Sequence, residues 1–155
     1  MTASSATIPA VQTGHVGLNV SDIARSTQFY QDVFGWDILG RSDEAGRRFA
    51  FLGADGQLIL TLWEQSAGAA DHRRPGLHHL SFQVADIAAV HSFAERLSLQ
   101  AVRVFHDGIV PHAEGADSGG LFFEDPDGIR LEIFSPSGAG GHAAPTPGAP
   151  TCGFF

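Results

Sequence analysis

Lysine is absent from the 155 residues, and all nine basic side chains are arginine. No lysine Schiff base can form on the chain, and no P-loop lysine is available to a nucleotide phosphate. There is one cysteine, which rules out an intramolecular disulfide and a cysteine-rich zinc or iron–sulfur centre. Basic charge is scarce. The 17 acidic residues outnumber the 9 basic ones and leave a net charge of -8, the wrong sign for neutralising duplex phosphates. No apolar run approaches the roughly 18 residues of a membrane span. The opening MTASSATIPA lacks the basic and apolar regions of a signal peptide. The expectation is a cytoplasmic protein with a small-molecule substrate and neither a nucleic acid nor a membrane as partner. What the chain has in quantity is histidine, eight residues in all.

The ends differ in composition from the middle. Residues 1–12 are small, polar and uncharged, and are expected to be disordered. Residues 137–155 form a Gly/Ala/Pro-rich tail expected to be flexible. Between them, residues 13–136 contain an internal repeat. His15, Val20, Asp22, Ile23 and Phe29 recur as His79, Val84, Asp86, Ile87 and Phe93 at a constant spacing of 64 residues. Asp55-Gly56 recurs as Asp127-Gly128 at a spacing of 72.

Each half alternates and then turns helical in the same order. In module 1 (13–64), His15–Val20 reads as a strand, with Ser21 as N-cap and Asp22 at the positive end of a helix that Gly35 closes. Strands are expected at Trp36–Arg41, Arg47–Leu52 and Leu58–Glu64. After a linker (65–76), module 2 (77–136) offers strand Leu77–Val84 and helix Asp86–Leu97. Strands Val102–Phe105, Gly119–Glu124 and Arg130–Phe134 follow, the last two joined by the turn Asp125-Pro126-Asp127-Gly128. The fold class is therefore α+β, two pseudo-symmetric βαβββ modules with flexible termini. One such half-sheet cannot stand alone, so the two must bury their apolar faces together.

The repeat also organises the chemistry. His15 and His79 fall at equivalent positions on the first strands. Glu132 lies between Leu131 and Ile133, so its carboxylate points to the opposite sheet face from theirs. If both faces are covered, that carboxylate needs a partner, either a metal ion or an arginine. A spacing of 72 from Glu132 leads to Leu60, which cannot ligate. Two imidazoles and one carboxylate remain, His15, His79 and Glu132, a set that leaves metal positions open. Glu64 is a substitute ligand only if that spacing slips.

The paired modules resemble the vicinal oxygen chelate superfamily of glyoxalase I, extradiol dioxygenases, fosfomycin-resistance and bleomycin-binding proteins. The resemblance is carried by Gly14-His15-Val16 with Asp22-Ile23 and Phe29-Tyr30, by His79-Leu80-Ser81-Phe82 with Val84-Ala85-Asp86, and most by Phe122 to Glu132. It implies paired half-barrels, a homodimer, and a divalent metal on His15, His79 and Glu132. Leu60 stands where glyoxalase I offers a second glutamate, so the three-ligand dioxygenase branch is the nearer likeness. There Fe(II) is favoured, with Zn, Ni, Mn or Co as alternatives, and His106 and His112 are the candidate acid–base groups. A lyase or isomerase on another metal and a metal-free binding protein are the competing functions.

The remaining signals have plainer readings. His78 should face away from His79 by strand alternation, and His72, His91 and His142 read as linker, helix-surface and tail residues. The Asp125-Pro126-Asp127-Gly128 turn reads as a device that sets strand register. Phe122, Phe123 and Phe134 read as core. The tail returns to bulky residues at Cys152-Gly153-Phe154-Phe155 after its small ones. At ~3.3 Å per residue it spans up to about 60 Å, enough to reach the chain's own pocket or a partner's. A disordered end is the simpler expectation.

Overall fold

The computed structural model describes residues 8–155, and the first seven residues of the expected disordered N-terminus lie outside that range. Module 1 runs β1 (Val16–Val20), α1 (Ile23–Phe34), β2 (Asp37–Ser42), β3 (Phe49–Ala54) and β4 (Gln57–Glu64). Module 2 runs β5 (Leu80–Gln83), α2 (Ile87–Leu99), β6 (Val110–Pro111), β7 (Gly119–Glu124) and β8 (Arg130–Ser135). The sheets have the orders β1-β4-β3-β2 and β5-β8-β7-β6. In each, the first strand pairs in parallel with the last and every other pairing is antiparallel. This is the expected repeat.

Three local expectations are corrected. The side-chain cap of α1 is Asp22, which accepts from Arg25 N, and Asp86 accepts from Ala89 N at the equivalent place on α2. Ser21 serves a different partner, described below. Strand β5 begins at Leu80, so His78 and His79 precede it and strand alternation does not separate them. Val102–Phe105 is not a strand. Only Val104 bridges to Phe123, and the chain then makes a 3-10 turn at Phe105–Asp107, with His106 and Asp107 at positive φ. The fourth strand of module 2 is the short β6, in what reads from sequence as a loop.

One core joins the modules. Leu18, Val20, Leu60 and Leu62 of the first sheet are continuous with Leu121, Phe123, Leu131 and Ile133 of the second. The helices meet at an aromatic seam in which Phe34 stacks on Trp36 at 4.3 Å and meets Phe82 edge-on at 4.9 Å. Such ring pairs add about 1 kcal/mol beyond their buried area.

A polar clasp fixes the modules to each other. The β7–β8 turn reaches the N-terminal end of α1. Buried Asp127 accepts from Ser21 N at 2.8 Å, from Ser21 Oγ, and from Arg25 Nη2 at 2.6 Å. Asp125 accepts from Tyr30 Oη at 2.9 Å and from the amides of Asp127 and Ile129. Burial pushes the Asp125 carboxyl up, although these donors oppose the shift. Burial also pushes the Tyr30 phenol up, and the neighbouring Asp125 adds to it. The turn thus does more than set register.

Removing the Asp127 carboxylate strands the partly buried amide and hydroxyl of Ser21 and breaks the pair with Arg25. Asp127→Ala is expected to lower the urea-unfolding free energy by about 2 kcal/mol. Asp43→Ala, which breaks only the exposed pair with Arg41, should cost about 0.5 kcal/mol or less. Equal effects of the two substitutions would contradict the clasp.

Candidate functional site

Strand β8 places Glu132 at the centre of the second sheet, paired between Ser81 of β5 and Phe122 of β7. Leu131 and Ile133 turn into the shared core, so Glu132 turns to the other face, where it is nonetheless only 3% exposed. A carboxylate removed from water requires charge compensation. Among the described residues no arginine pairs with it, and what reaches it is imidazole. His112 Nε2 lies 2.5 Å from Glu132 Oε1, and His79 Nε2 lies 3.5 Å from Oε2.

Each imidazole is held from behind. The His112 amide donates to Ser118 O at 2.9 Å, and its Nδ1 lies 2.9 Å from Ser118 Oγ. That arrangement suits a ring that donates from Nε2 to the carboxylate and accepts from the hydroxyl, an assignment made from the bonding pattern. His79 Nδ1 lies 2.8 Å from His78 Nδ1. A hydrogen bond there leaves His79 Nε2 facing Glu132 with its orientation set, the arrangement that metal-binding histidines use. Burial holds the His79 imidazole below its usual pKa of 6.5, against the opposing pull of Glu132. The neutral, ligand-competent ring is therefore favoured. His78, read from sequence as facing away, is in contact with the site.

The other expected residues are distributed as follows. His106 sits beside the site, with its ring edge-on to Phe122 at 6.1 Å and its Nε2 buried without a partner. His15 lies exposed just before β1, on the other sheet. His79 and His112 approach different oxygens of Glu132, and among the described residues no three His, Cys, Asp or Glu side chains converge as a ready metal cage. Glu64 is engaged elsewhere. It accepts from Ile23 N at the start of α1 and from Arg48, and these bonds hold its carboxyl below the usual range.

The pseudo-symmetric counterpart of Glu132 also changes. Val16 pairs with Leu60 and Leu80 with Leu131, so Leu60 matches Leu131, and Thr61 matches Glu132. Ile59 is an extra residue in β4, because Leu52 pairs with Leu60 while Gly53 pairs with Leu58. Thr61 is buried and accepts from Trp63 Nε1 at 3.0 Å. Module 1 still lacks a carboxylate there, but the residue in its place is a threonine. The face around Thr61 carries Phe49, Phe51 and Trp63, clustered within 5.8 Å of one another and partly exposed.

The space over Glu132 is filled by the chain itself. Residues 137–140 fold back, with Ala139 N donating to Asp117 O. Farther on, Thr151 N donates to His112 O and Thr151 Oγ1 to Pro111 O, each at 2.7 Å. Phe155 is 8% exposed and packs on Phe122, with ring centroids 4.6 Å apart. Phe105 and His79 meet it edge-on at 5.5 and 5.7 Å, and the Arg130 guanidinium lies 5.3 Å from its centroid. Burial raises the Cys152 thiol pKa, and the nearby Glu132 charge adds to it. Burying one Phe is worth about 2 kcal/mol, and two hydrogen bonds about 1 kcal/mol each. Ordering five residues costs about 5 kcal/mol or more, so docking is close to balanced.

A family model described as "Glyoxalase/Bleomycin resistance protein/Dioxygenase superfamily" matches residues 12–133. Catechol-2,3-dioxygenase of Bacillus subtilis (strain 168) is 29% identical over 126 residues, which are 79% of this chain and 40% of that protein. The chain thus spans less than half the length of that relative. Lactoylglutathione lyase of Haemophilus influenzae is 33% identical over 128 residues, covering 77% of this chain and 88% of the lyase. Among solved structures, a glyoxylase/bleomycin resistance protein/dioxygenase domain from Frankia sp. EAN1pec superposes with a TM-score of 0.68. It is 28% identical and covers 82% of this chain and 98% of that one. No helix among the described residues is long and apolar enough to cross a membrane.

The depressed His79 pKa has a consequence for stability. The unfolded chain binds this proton more readily than the folded one. The contribution is therefore fully present above pH 6.5 and falls as pH drops from there toward the folded value. An NMR titration of the His79 ring in metal-free protein should give a midpoint below 6.5. A midpoint at or above that value would contradict the burial argument.

Proposed function

From its membership of the glyoxalase/bleomycin resistance/dioxygenase superfamily, to which the chain belongs, we propose that it is a divalent-metal-dependent enzyme, a dioxygenase of a small aromatic or oxygenated substrate. The observation that carries this reading is the buried Glu132 carboxylate, which meets two imidazoles and no arginine. The donor set suits a borderline divalent ion, with a neutral ring at His79 and a carboxylate at Glu132. His15 is the third ligand and comes from a second copy of the chain, since within one chain it stands on the other sheet. The partly open aromatic face of module 1 around Trp63 is the surface that such a homodimer covers. A bound Fe(II) would supply a centre at which substrate oxygens and dioxygen meet.

The chain's own groups do the rest. His78 orients His79. His112 carries a proton at Nε2, within reach of whatever binds at Glu132. His106 Nε2, buried and unpaired, offers a hydrogen bond to a substrate oxygen. Phe105 and Phe122 keep water from the centre. The relative named as a lyase supports a second reading, isomerase or lyase chemistry on Zn(II), Ni(II), Mn(II) or Co(II).

Metal analysis of untagged protein tests the first step. About one equivalent of metal per chain is expected, lost in His79→Ala and Glu132→Ala. Less than about 0.1 equivalent in the parent, unchanged by these substitutions, would leave a metal-free binding protein instead. Mixing His15→Ala chains with Glu132→Ala chains should restore about a quarter of the sites if ligands are shared across a dimer. Oxygen uptake with catechols then separates a dioxygenase from an isomerase.

A further inference from the structure

We propose that the cage formed by Phe105, Phe122, His79 and Arg130 is a subsite for a planar aromatic ring of the ligand, and that residues 151–155 are its built-in, displaceable occupant. The proposal rests on the reading of Glu132 as the working centre and adds to it the class of ligand and a means of control.

The cage has the form of a ring site. Phe155 packs tilted against Phe122 and edge-to-face with His79 and Phe105, with a guanidinium 5.3 Å from its centroid. Edge-to-face contacts and a cation on a ring favour a flat π-system over an aliphatic chain of similar size. The polar atoms around the cage are only partly used. Among the described residues, His106 Nε2 and Arg130 Nε are buried without partners, although buried polar atoms in folded proteins are nearly always paired. A phenylalanine ring cannot satisfy them, whereas a ring carrying hydroxyl or carboxylate oxygens can. Phe155 fits the apolar half of the site and leaves the polar half unanswered.

The segment is also held in a way that permits release. It docks through the Phe155 ring, the partly buried Cys152 and the two hydrogen bonds of buried Thr151, after a run of mostly small residues from Ser137 to Pro150. Phe154, its neighbour, is 61% exposed and contributes little. Thr151 bonds to the carbonyl of His112, the residue that faces Glu132. Undocking the segment therefore uncovers the ring cage and frees the backbone of His112 together.

The test uses phenol as the ring probe, titrated by NMR into metal-free protein. The full chain is compared with Phe155→Ala, Phe154→Ala and a chain ending at Pro150. Phenol should bind about twofold or more tightly to Phe155→Ala and to the shortened chain than to the parent, as expected for a docked segment near balance. Phe154→Ala should match the parent. Acetyl-Thr-Cys-Gly-Phe-Phe added in trans should displace phenol from the shortened chain. Phe155→Ala guards against loss of folding on truncation. Equal phenol affinity in all four chains, or no binding to any, overturns the proposal. Metal content of Phe155→Ala, measured alongside, tests the enzyme reading separately. Unloaded protein with segment-dependent phenol binding defeats that reading and leaves the subsite standing.

Discussion

Glu132 sits in the middle of a sheet, on the face away from the hydrophobic core, yet almost without contact with water. A charge in that position must be answered locally. The chain contains no lysine, and among the described residues no arginine pairs with this carboxylate. Arg25 serves Asp127, Arg48 serves Glu64, and Arg130 lies over a phenylalanine ring. Imidazole is the remaining cationic or donor chemistry, and three histidines gather around this carboxylate directly or through one another. Burial disfavours the His79 imidazolium and so favours a ring with a free lone pair beside the carboxylate.

The position of Glu132 depends in turn on the two modules being locked together. The Asp125-Pro126-Asp127-Gly128 turn that starts β8 is tied to α1 of the other module by Ser21, Arg25 and Tyr30. The register of β8 is thereby anchored at Ile129, immediately before the strand begins. Strand β5 and the aromatic seam complete the frame. Module 1 has built the same half-sheet without the charge. Its equivalent of Glu132 is Thr61, bonded to its own neighbour Trp63. One half of a pseudo-symmetric fold thus holds the buried carboxylate and its imidazoles, and the other half presents an aromatic face.

The repeat was legible because equivalent residues stay at one spacing through the first strand and helix of each module. His15, His79, Asp22 and Asp86 could be aligned from that alone. The spacing fails later in the modules, where a one-residue bulge at Ile59 moves the match from Leu60 to Thr61. A bulge has no sequence signature here, since Leu58-Ile59-Leu60 is apolar throughout. Val102–Phe105 has the composition of a strand, but only Val104 reaches β7, and the chain turns into a 3-10 geometry with His106 at positive φ. Ser21 and Asp22 are both good caps, and the choice between them was made by Asp127, more than a hundred residues away.

By itself the sequence determined the class of fold, the two-module order, the strand that carries Glu132 and the side from which its carboxylate leaves the core. These follow from periodicity and repetition, which act over a few residues. Tertiary structure decided which imidazoles meet that carboxylate. His112 directly follows the two-residue strand β6, and His78 is brought in because β5 starts only at Leu80. It also decided where Cys152 and Phe155 lie. A run of glycine, alanine and proline sets no direction for the chain, so only an apolar cage and the free backbone carbonyls at Pro111 and His112 could capture its end.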